Sequence, residues 1–275
     1  YGFPKPARRP GGSRLYSEED VARLRLIHRA LEAGYRPGEV VPLPPQELRR
    51  IVDVSASAPE HPLRELGTPG VDAVLAALLA DDVVRARALL RSGAVTLGPR
   101  GFVTELAQPL ALRVGELWSE GELDVRHEHL ASALLTTQLR LLLGAFEEVE
   151  GAPVVVLATL PGEPHVLPLD MVAVYLAAGH AAPRLLGADT PPDQIAAAAR
   201  AMRADAVGLS ISPAADSRRA AKDAQALLAE LPRRTELWLG GGGAPRLDAP
   251  GARCIQAWSE LDAALGALRG LRAAG

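Results

Sequence analysis

The chain has very little of the chemistry that staples small folds or builds metal clusters. One cysteine, Cys254, stands among 275 residues, so a disulfide framework and a cysteine-ligated zinc site are both excluded. Aromatic residues are 4% of the chain, so any tryptophan beside polar groups is conspicuous. No apolar run reaches the roughly 20 residues that cross a bilayer, and no signal-peptide pattern opens the chain, so a cytoplasmic protein without membrane contact is expected. The net charge of −3 gives no global attraction to nucleic acid, and DNA contact would have to come from a local patch. No Ser-His-Asp set, carboxylate pair or phosphate loop is evident, so a turnover enzyme is not expected. What is present is apolar residue, 48% of the chain. Over this length it is enough for about two or three cores.

Four regions follow from composition and period. Residues 1–41 open with prolines and a Gly11-Gly12 turn signal between short extended pieces. Lys5, Arg8, Arg9 and Arg14 lie there with no acid among them, a pattern suited to phosphate contacts. Ser17 then caps a helix, with Asp20 three residues on in the place of a capping-box acid, and Gly34 closes it. Residues 42–70 are rich in proline and read as a linker carrying a short helix, Gln46 to Val54. Residues 71–150 have helical period throughout, with helices expected at Val71–Ala80, Val83–Ser92, Phe102–Trp118 (kinked or broken at Pro109) and Asp124–Glu148. Four helices with short connections predict a bundle.

From residue 151 to 275 the period alternates. Buried strands are expected at Val154–Ala158, Ala206–Ser210 and Glu236–Leu239, with weaker ones at Pro183–Leu186 and Arg253–Gln256. Helices fall between and after them at Leu169–Ala178, Pro192–Arg203, Ser217–Leu231 and Ser259–Leu271. That alternation predicts a doubly wound parallel sheet, which binds ligands beyond the carboxyl ends of its strands.

Two groups of residues carry candidate chemistry. In the bundle, Trp118 is followed after nine residues by Glu128-His129. The indole can form a flat apolar lid, while the carboxylate and imidazole can hydrogen-bond hydroxyls or a base. At the strand ends stand Glu163-Pro164-His165, then Ser210-Ile211-Ser212, then Gly240 to Gly243. An imidazole there can ligate a transition metal with the nearby carboxylate behind it. Serine hydroxyls and glycine-lined backbone leave room for a bulky ligand.

The opening segment, YGFPKPARRPGGSRLYSEEDVARLRLIHRALEAG, resembles the second half of a MerR-type winged-helix DNA-binding domain, whose first two helices would precede Tyr1. The C-terminal half resembles the cobalamin-binding Rossmann domain of methionine synthase and related corrinoid proteins. That resemblance implies that His165 ligates cobalt with the nucleotide tail displaced, Glu163 bracing it. It places the family's serine motif on Ser210 or Ser212 and its Gly-Gly motif on Gly240-Gly241. Pro168 stands where the family has glycine beside the tail. The run VGELWSEGELDVRHEHLAS is similar to the cap of CarH- and LitR-type photoreceptors, implying that Trp118, Glu128 and His129 enclose a 5′-deoxyadenosyl group. Ser119 occupies the place where some members carry a second cobalt-binding histidine, and His127 is the nearest substitute.

The fold class implied is multi-domain: a partial α+β winged helix, an all-α bundle and an α/β Rossmann-like domain. The function implied is a light-responsive repressor that uses adenosylcobalamin. A cofactor-stabilised homo-oligomer, a tetramer, would bind operator DNA of photoprotection genes in the dark and dissociate on photolysis. The alternatives are a MerR-type repressor acting through protein partners without cobalamin, and a corrinoid methyl-carrier protein.

Overall fold

The structure, a computed structural model, describes residues 3, 7–8, 14–15, 17, 19–20, 23–24, 26–27, 40–49, 70–147 and 149–273. Two compact units divide the chain, Tyr1–Gly67 and Thr68–Gly275.

In the first unit, β1 (Ala7–Arg8) and β2 (Arg14–Leu15) pair antiparallel, with Arg8 opposite Arg14. Lys5, Arg9 and the glycines between the strands lie outside the described residues. The Ser17 cap forms as expected. Ser17 Oγ accepts from the Asp20 N–H at 3.0 Å and donates to Asp20 Oδ2 at 2.8 Å, and Asp20 Oδ2 accepts the Ser17 N–H at 3.3 Å. Ile27, Val40 and Leu48 form a small core with Phe3, Leu26, Val41 and Leu43 against it. Leu43 and Leu48, in the proline-rich stretch read as linker, therefore pack with this unit. Arg23 fastens the same stretch. Its guanidinium covers the Phe3 ring at 4.2 Å and donates to the carbonyls of Val41 and Leu43. Of the short helix expected at Gln46–Val54, residues 45–49 are helical, and the remainder lies outside the described residues.

The second unit begins with the helical bundle: α1 (Val71–Leu79), α2 (Val83–Gly101), a π-helical segment (Phe102–Ala107), α3 (Gln108–Ser119) and α4 (Val125–Leu143). Asp82 caps α2, accepting the Arg85 N–H at 2.9 Å. Two expectations shift here. The helix expected to stop at Ser92 continues to a sharp break at Gly98, whose φ of 68° only glycine adopts without strain. Pro109 does not interrupt an α-helix midway. It lies in the first turn of α3, directly after the π segment. Proline has no N–H for the carbonyl four residues back, and the wider π turn takes up the mismatch. Asp124 occupies the N-cap of α4 but makes no side-chain cap, pairing instead with Arg126 at 3.3 Å. The helix ends at Leu143, short of the expected Glu148.

The sheet follows, with β3 (Val154–Ala158), β4 (Ala182–Gly187), β5 (Ala206–Ser210), β6 (Glu236–Gly240) and β7 (Arg253–Ile255) in the order β4-β3-β5-β6-β7, every pair parallel. Between and after the strands run α5 (Leu167–Ala178), α6 (Pro192–Ala201), α7 (Ser217–Glu230) and α8 (Trp258–Ala273). Period-2 alternation divides the strand side chains between two faces. Val156, Ala158, Val207, Leu209, Leu237 and Leu239 build a core with alanines and leucines of α6 and α7. Leu157, Gly208 and Trp238, in register with one another, belong to the other face. The bundle packs on this lobe through α5, which meets α2, α4 and the π segment. Among the described residues no helix is long and apolar enough to cross a membrane.

Candidate functional site

The strand order reverses between β3 and β5, since β4 lies on one side of β3 and β5 on the other. The loops after these two strands therefore sit side by side at the sheet's carboxyl edge, where doubly wound folds bind ligands. The first loop carries Glu163 and His165, and its shape is fixed by Thr159 and Asp189. The Thr159 hydroxyl donates to the Glu163 carbonyl and accepts the Asp189 N–H, and Asp189 Oδ1 accepts the Gly162 N–H at 2.7 Å.

Glu163 is the hinge pin of the site. Its side chain is 5% exposed, and its two oxygens hold two different loops. Oε1 contacts His165 Nδ1 at 2.5 Å and accepts the His165 N–H, while Oε2 accepts the Ser212 N–H at 2.8 Å. Burial pushes this carboxyl upward, but the hydrogen bonds from Ser212 and His165 outweigh it and hold Glu163 below the ordinary glutamate value. An ionised Glu163 accepts a hydrogen bond from His165 Nδ1–H, and that tautomer leaves Nε2 with its lone pair. The imidazole is 63% exposed, and Nε2 has no protein hydrogen-bond partner among the described residues. This is an oriented histidine with one nitrogen braced and the other free to bind a metal.

Behind the loop lies a cavity of about 260 Å³, walled by Leu157, Gly208, Ser210, Trp238, Gly240 and Pro168 together with residues of α8 and Gln108. Its origin is the small-residue pattern of one sheet face. Gly208 sits in register between Leu157 and Trp238, and a Cβ there would meet Leu157 Cδ2 at 2.8 Å. Ser210 and Gly240, two pairs further along the same ladder, keep the end open. The mostly apolar lining suits a ligand group with few polar needs.

The sequence candidates separate at this point. Ser210 and Gly240 line the cavity, whereas Ser212 and Gly241 do not. Ser212 braces Glu163. Gly241 has φ +89°, and a Cβ would strike the Ile211 carbonyl oxygen at 2.5 Å. The Gly-Gly pair therefore keeps two loops in backbone contact, sealed by Ile211 N–H to Gly240 O at 2.9 Å and Gly243 N–H to Ile211 O at 3.0 Å. Pro168 is accommodated by its helix. It lies in the first turn of α5, where its missing N–H would lack a helical partner anyway, and its ring forms part of the cavity wall. The helix begins at Leu167, two residues before the expected start.

On the bundle, Trp118 stands in the last turn of α3 and is 52% exposed, so it is no core tryptophan. Glu128 and His129 meet each other, Oε2 to Nδ1 at 2.6 Å, and Ser132 Oγ donates to Glu128 Oε1 at 2.9 Å. His127, in contrast, is buried, with Nε2 3.3 Å from Asp81 Oδ1. Residues that the sequence did not single out include Gln108, Trp238 and Trp258 on the cavity wall. The two tryptophans were visible as rarities, but nothing local marked Gln108, which meets Trp258 across 150 positions.

Comparison with known proteins identifies the family. A B12 binding domain family matches residues 153–265, a second B12 binding domain family matches residues 71–143, and the MerR HTH family regulatory protein matches residues 1–43. The chain is 32% identical over 254 residues to the HTH-type transcriptional repressor CarH of Myxococcus xanthus, covering 89% of this chain and 82% of that one. It is 30% identical over 213 residues to the HTH-type transcriptional repressor CarA of the same organism, covering 76% and 68%. The Methanosarcina barkeri monomethylamine corrinoid protein shares the fold, with a TM-score of 0.56 at 16% identity over 70% of this chain and 96% of that one. The chain thus belongs to the family of CarH-type MerR transcriptional regulators that carry a cobalamin-binding domain.

Proposed function

We propose that the chain is a transcriptional repressor whose hold on DNA is set by adenosylcobalamin and released by light. The observation that carries the reading is the braced His165. Its imidazole is held by a buried carboxylate that also ties down the neighbouring loop, beside a cavity kept open by Gly208, Ser210 and Gly240. These residues fit a corrinoid whose nucleotide tail is displaced: His165 Nε2 is the cobalt ligand, Glu163 its orienting partner, and the cavity the slot for the tail.

Adenosylcobalamin supplies a cobalt–carbon bond that visible light breaks. Trp118 covers the adenosyl side as a flat apolar lid, and Glu128 and His129 offer hydrogen-bonding groups to its ribose and base. An exposed indole supports this role, since a lid residue must be uncovered until its ligand arrives. In the dark the covered lid favours one assembly state, a homotetramer, and light removes that bias. Residues 1–41 form the DNA-binding part, with Lys5, Arg8, Arg9 and Arg14 as phosphate contacts. Residues 42–70, whose Leu43 and Leu48 pack with this unit, join it to the cap at 71–150 and the cobalamin domain at 151–275. The chain acts as a cytoplasmic regulator and not as a turnover enzyme.

The test is retention. The chain is mixed in the dark with adenosylcobalamin, desalted, and its absorption spectrum taken before and after green light. Bound corrinoid with a light-induced spectral change is expected in the wild type, and both should be lost or strongly reduced in His165→Ala. A corrinoid spectrum retained undiminished by His165→Ala contradicts the assignment of the cobalt ligand.

A further inference from the structure

The tail slot has one wall that does not belong to the sheet lobe. Gln108, the first residue of α3, lines the cavity alongside Trp258, the first residue of α8. The two are joined directly, the Trp258 Nε1–H donating to Gln108 Oε1 at 2.8 Å. Trp258 also stacks on Tyr175 of α5, ring centroids 4.5 Å apart. The Tyr175 hydroxyl donates to Asp262 at 2.9 Å, and Asp262 pairs with Arg100 at 3.0 Å. Arg100 closes the circuit by laying its guanidinium over the Tyr175 ring at 4.3 Å. Gly179 leaves room for it, since a Cβ there would meet its Nη2 at 2.5 Å.

Arg100 and Gln108 flank the π-helical segment Phe102–Ala107. Both ends of that segment are therefore fastened to the same Tyr175–Trp258 stack, and one fastening is also a cavity wall. A π segment inside an α-helical run is rare and frequently sits at a functional site. Gly98, with its left-handed backbone just ahead of Arg100, provides a joint on the other side.

We propose that the Gln108–Trp258 pair is a latch through which the bundle senses whether the tail slot is filled. A flat base in the slot packs against Trp258, holds its indole N–H on Gln108, and so clamps the π segment onto the sheet lobe. An empty slot leaves the indole unsupported on one side and the clamp weaker. The latch rests on the cobalamin reading above, and it adds the lower, tail side of the cofactor as a second input to the bundle.

Adenosylcobalamin and adenosylcobinamide differ in the nucleotide tail, so they separate the two inputs. Backbone hydrogen exchange over residues 98–109 is measured in the dark with each, at concentrations giving equal bound corrinoid by absorbance. Adenosylcobalamin should slow exchange by on the order of fivefold or more, the size of an ordinary coupling between sites, and adenosylcobinamide should not. Gln108→Leu, compared at equal occupancy, should lose the tail-dependent protection. Equal protection by both corrinoids, or no protection at full occupancy by adenosylcobalamin, overturns the latch while leaving the cofactor assignment intact. Failure of the wild-type chain to retain either corrinoid overturns the cofactor assignment and the latch together.

Discussion

Two glutamate–histidine pairs in this chain have nearly the same contact and opposite surroundings. Glu163 meets His165 Nδ1 at 2.5 Å, and Glu128 meets His129 Nδ1 at 2.6 Å. The first carboxylate is 5% exposed and also accepts a backbone N–H from a separate loop. The second is 32% exposed, and its other contact, Ser132, lies one turn along its own helix. Glu163 is thus part of the fold, and the imidazole it orients is ready before any ligand arrives. Among the described residues Glu128 and His129 are held only by each other and by their helix, so whatever covers them completes the arrangement. A metal ligand benefits from the first condition and a movable lid from the second.

The largest effect is expected from Glu163→Ala. Removing a buried acceptor strands the Ser212 N–H and frees His165. The cost should be about 1–3 kcal/mol of stability, read as a lower urea midpoint, with cobalamin affinity falling roughly 10- to 100-fold. Glu128→Ala should move the midpoint by less than about 0.5 kcal/mol. Equal midpoint shifts for the two would erase the distinction drawn here.

The pH dependence sharpens it. Glu163 titrates lower in the folded chain than in the unfolded one, because its hydrogen bonds from Ser212 and His165 outweigh burial. The stability it contributes is fully present above the unfolded value of about 4.3 and is lost as pH falls through the lower folded value. The midpoint gap between wild type and Glu163→Gln should accordingly narrow on acidification below about pH 4. A gap that widens there would contradict the assignment of the ionised form.

Smaller effects test the remaining residues. Pro168→Gly loosens the first turn of α5, and should cost about 0.4–1 kcal/mol through the unfolded state, measured by thermal melting. A gain in stability would mean that proline is strained there. Trp118→Ala should leave the midpoint within about 0.5 kcal/mol, as expected for an exposed side chain, while diminishing the light-induced spectral change. A large loss of stability would return Trp118 to a structural role.

Much of this arrangement was legible in the sequence because it follows from period and punctuation. Strand–helix alternation located each parallel strand to within a residue or two, and Ser17 with Asp20 announced their cap. The Glu163-Pro164-His165 spacing placed an imidazole at the sheet edge. What stayed hidden depended on contacts between distant positions or on backbone register. Pro109 signalled a disturbance, but not that a π turn would absorb it ahead of the proline. Gly98-Pro99 marked the true break, yet the apolar pattern faded sooner and suggested an end at Ser92. Pro168 stood outside the helix expected from Leu169, whereas α5 starts at Leu167 and holds it at the second position, where a proline costs no hydrogen bond. Ser210 and Ser212 could not be told apart until strand register put one on the cavity and the other on Glu163.

The most direct test of the central claim is the assembly state of the wild-type chain loaded with adenosylcobalamin, measured by size exclusion in the dark and again after green light. A larger species in the dark that converts to a smaller one on illumination, in step with the spectral change, is the expected result. Corrinoid retained and photolysed with no change in assembly would contradict a light-released repressor, leaving a cobalamin-binding protein whose lid does not control its partners.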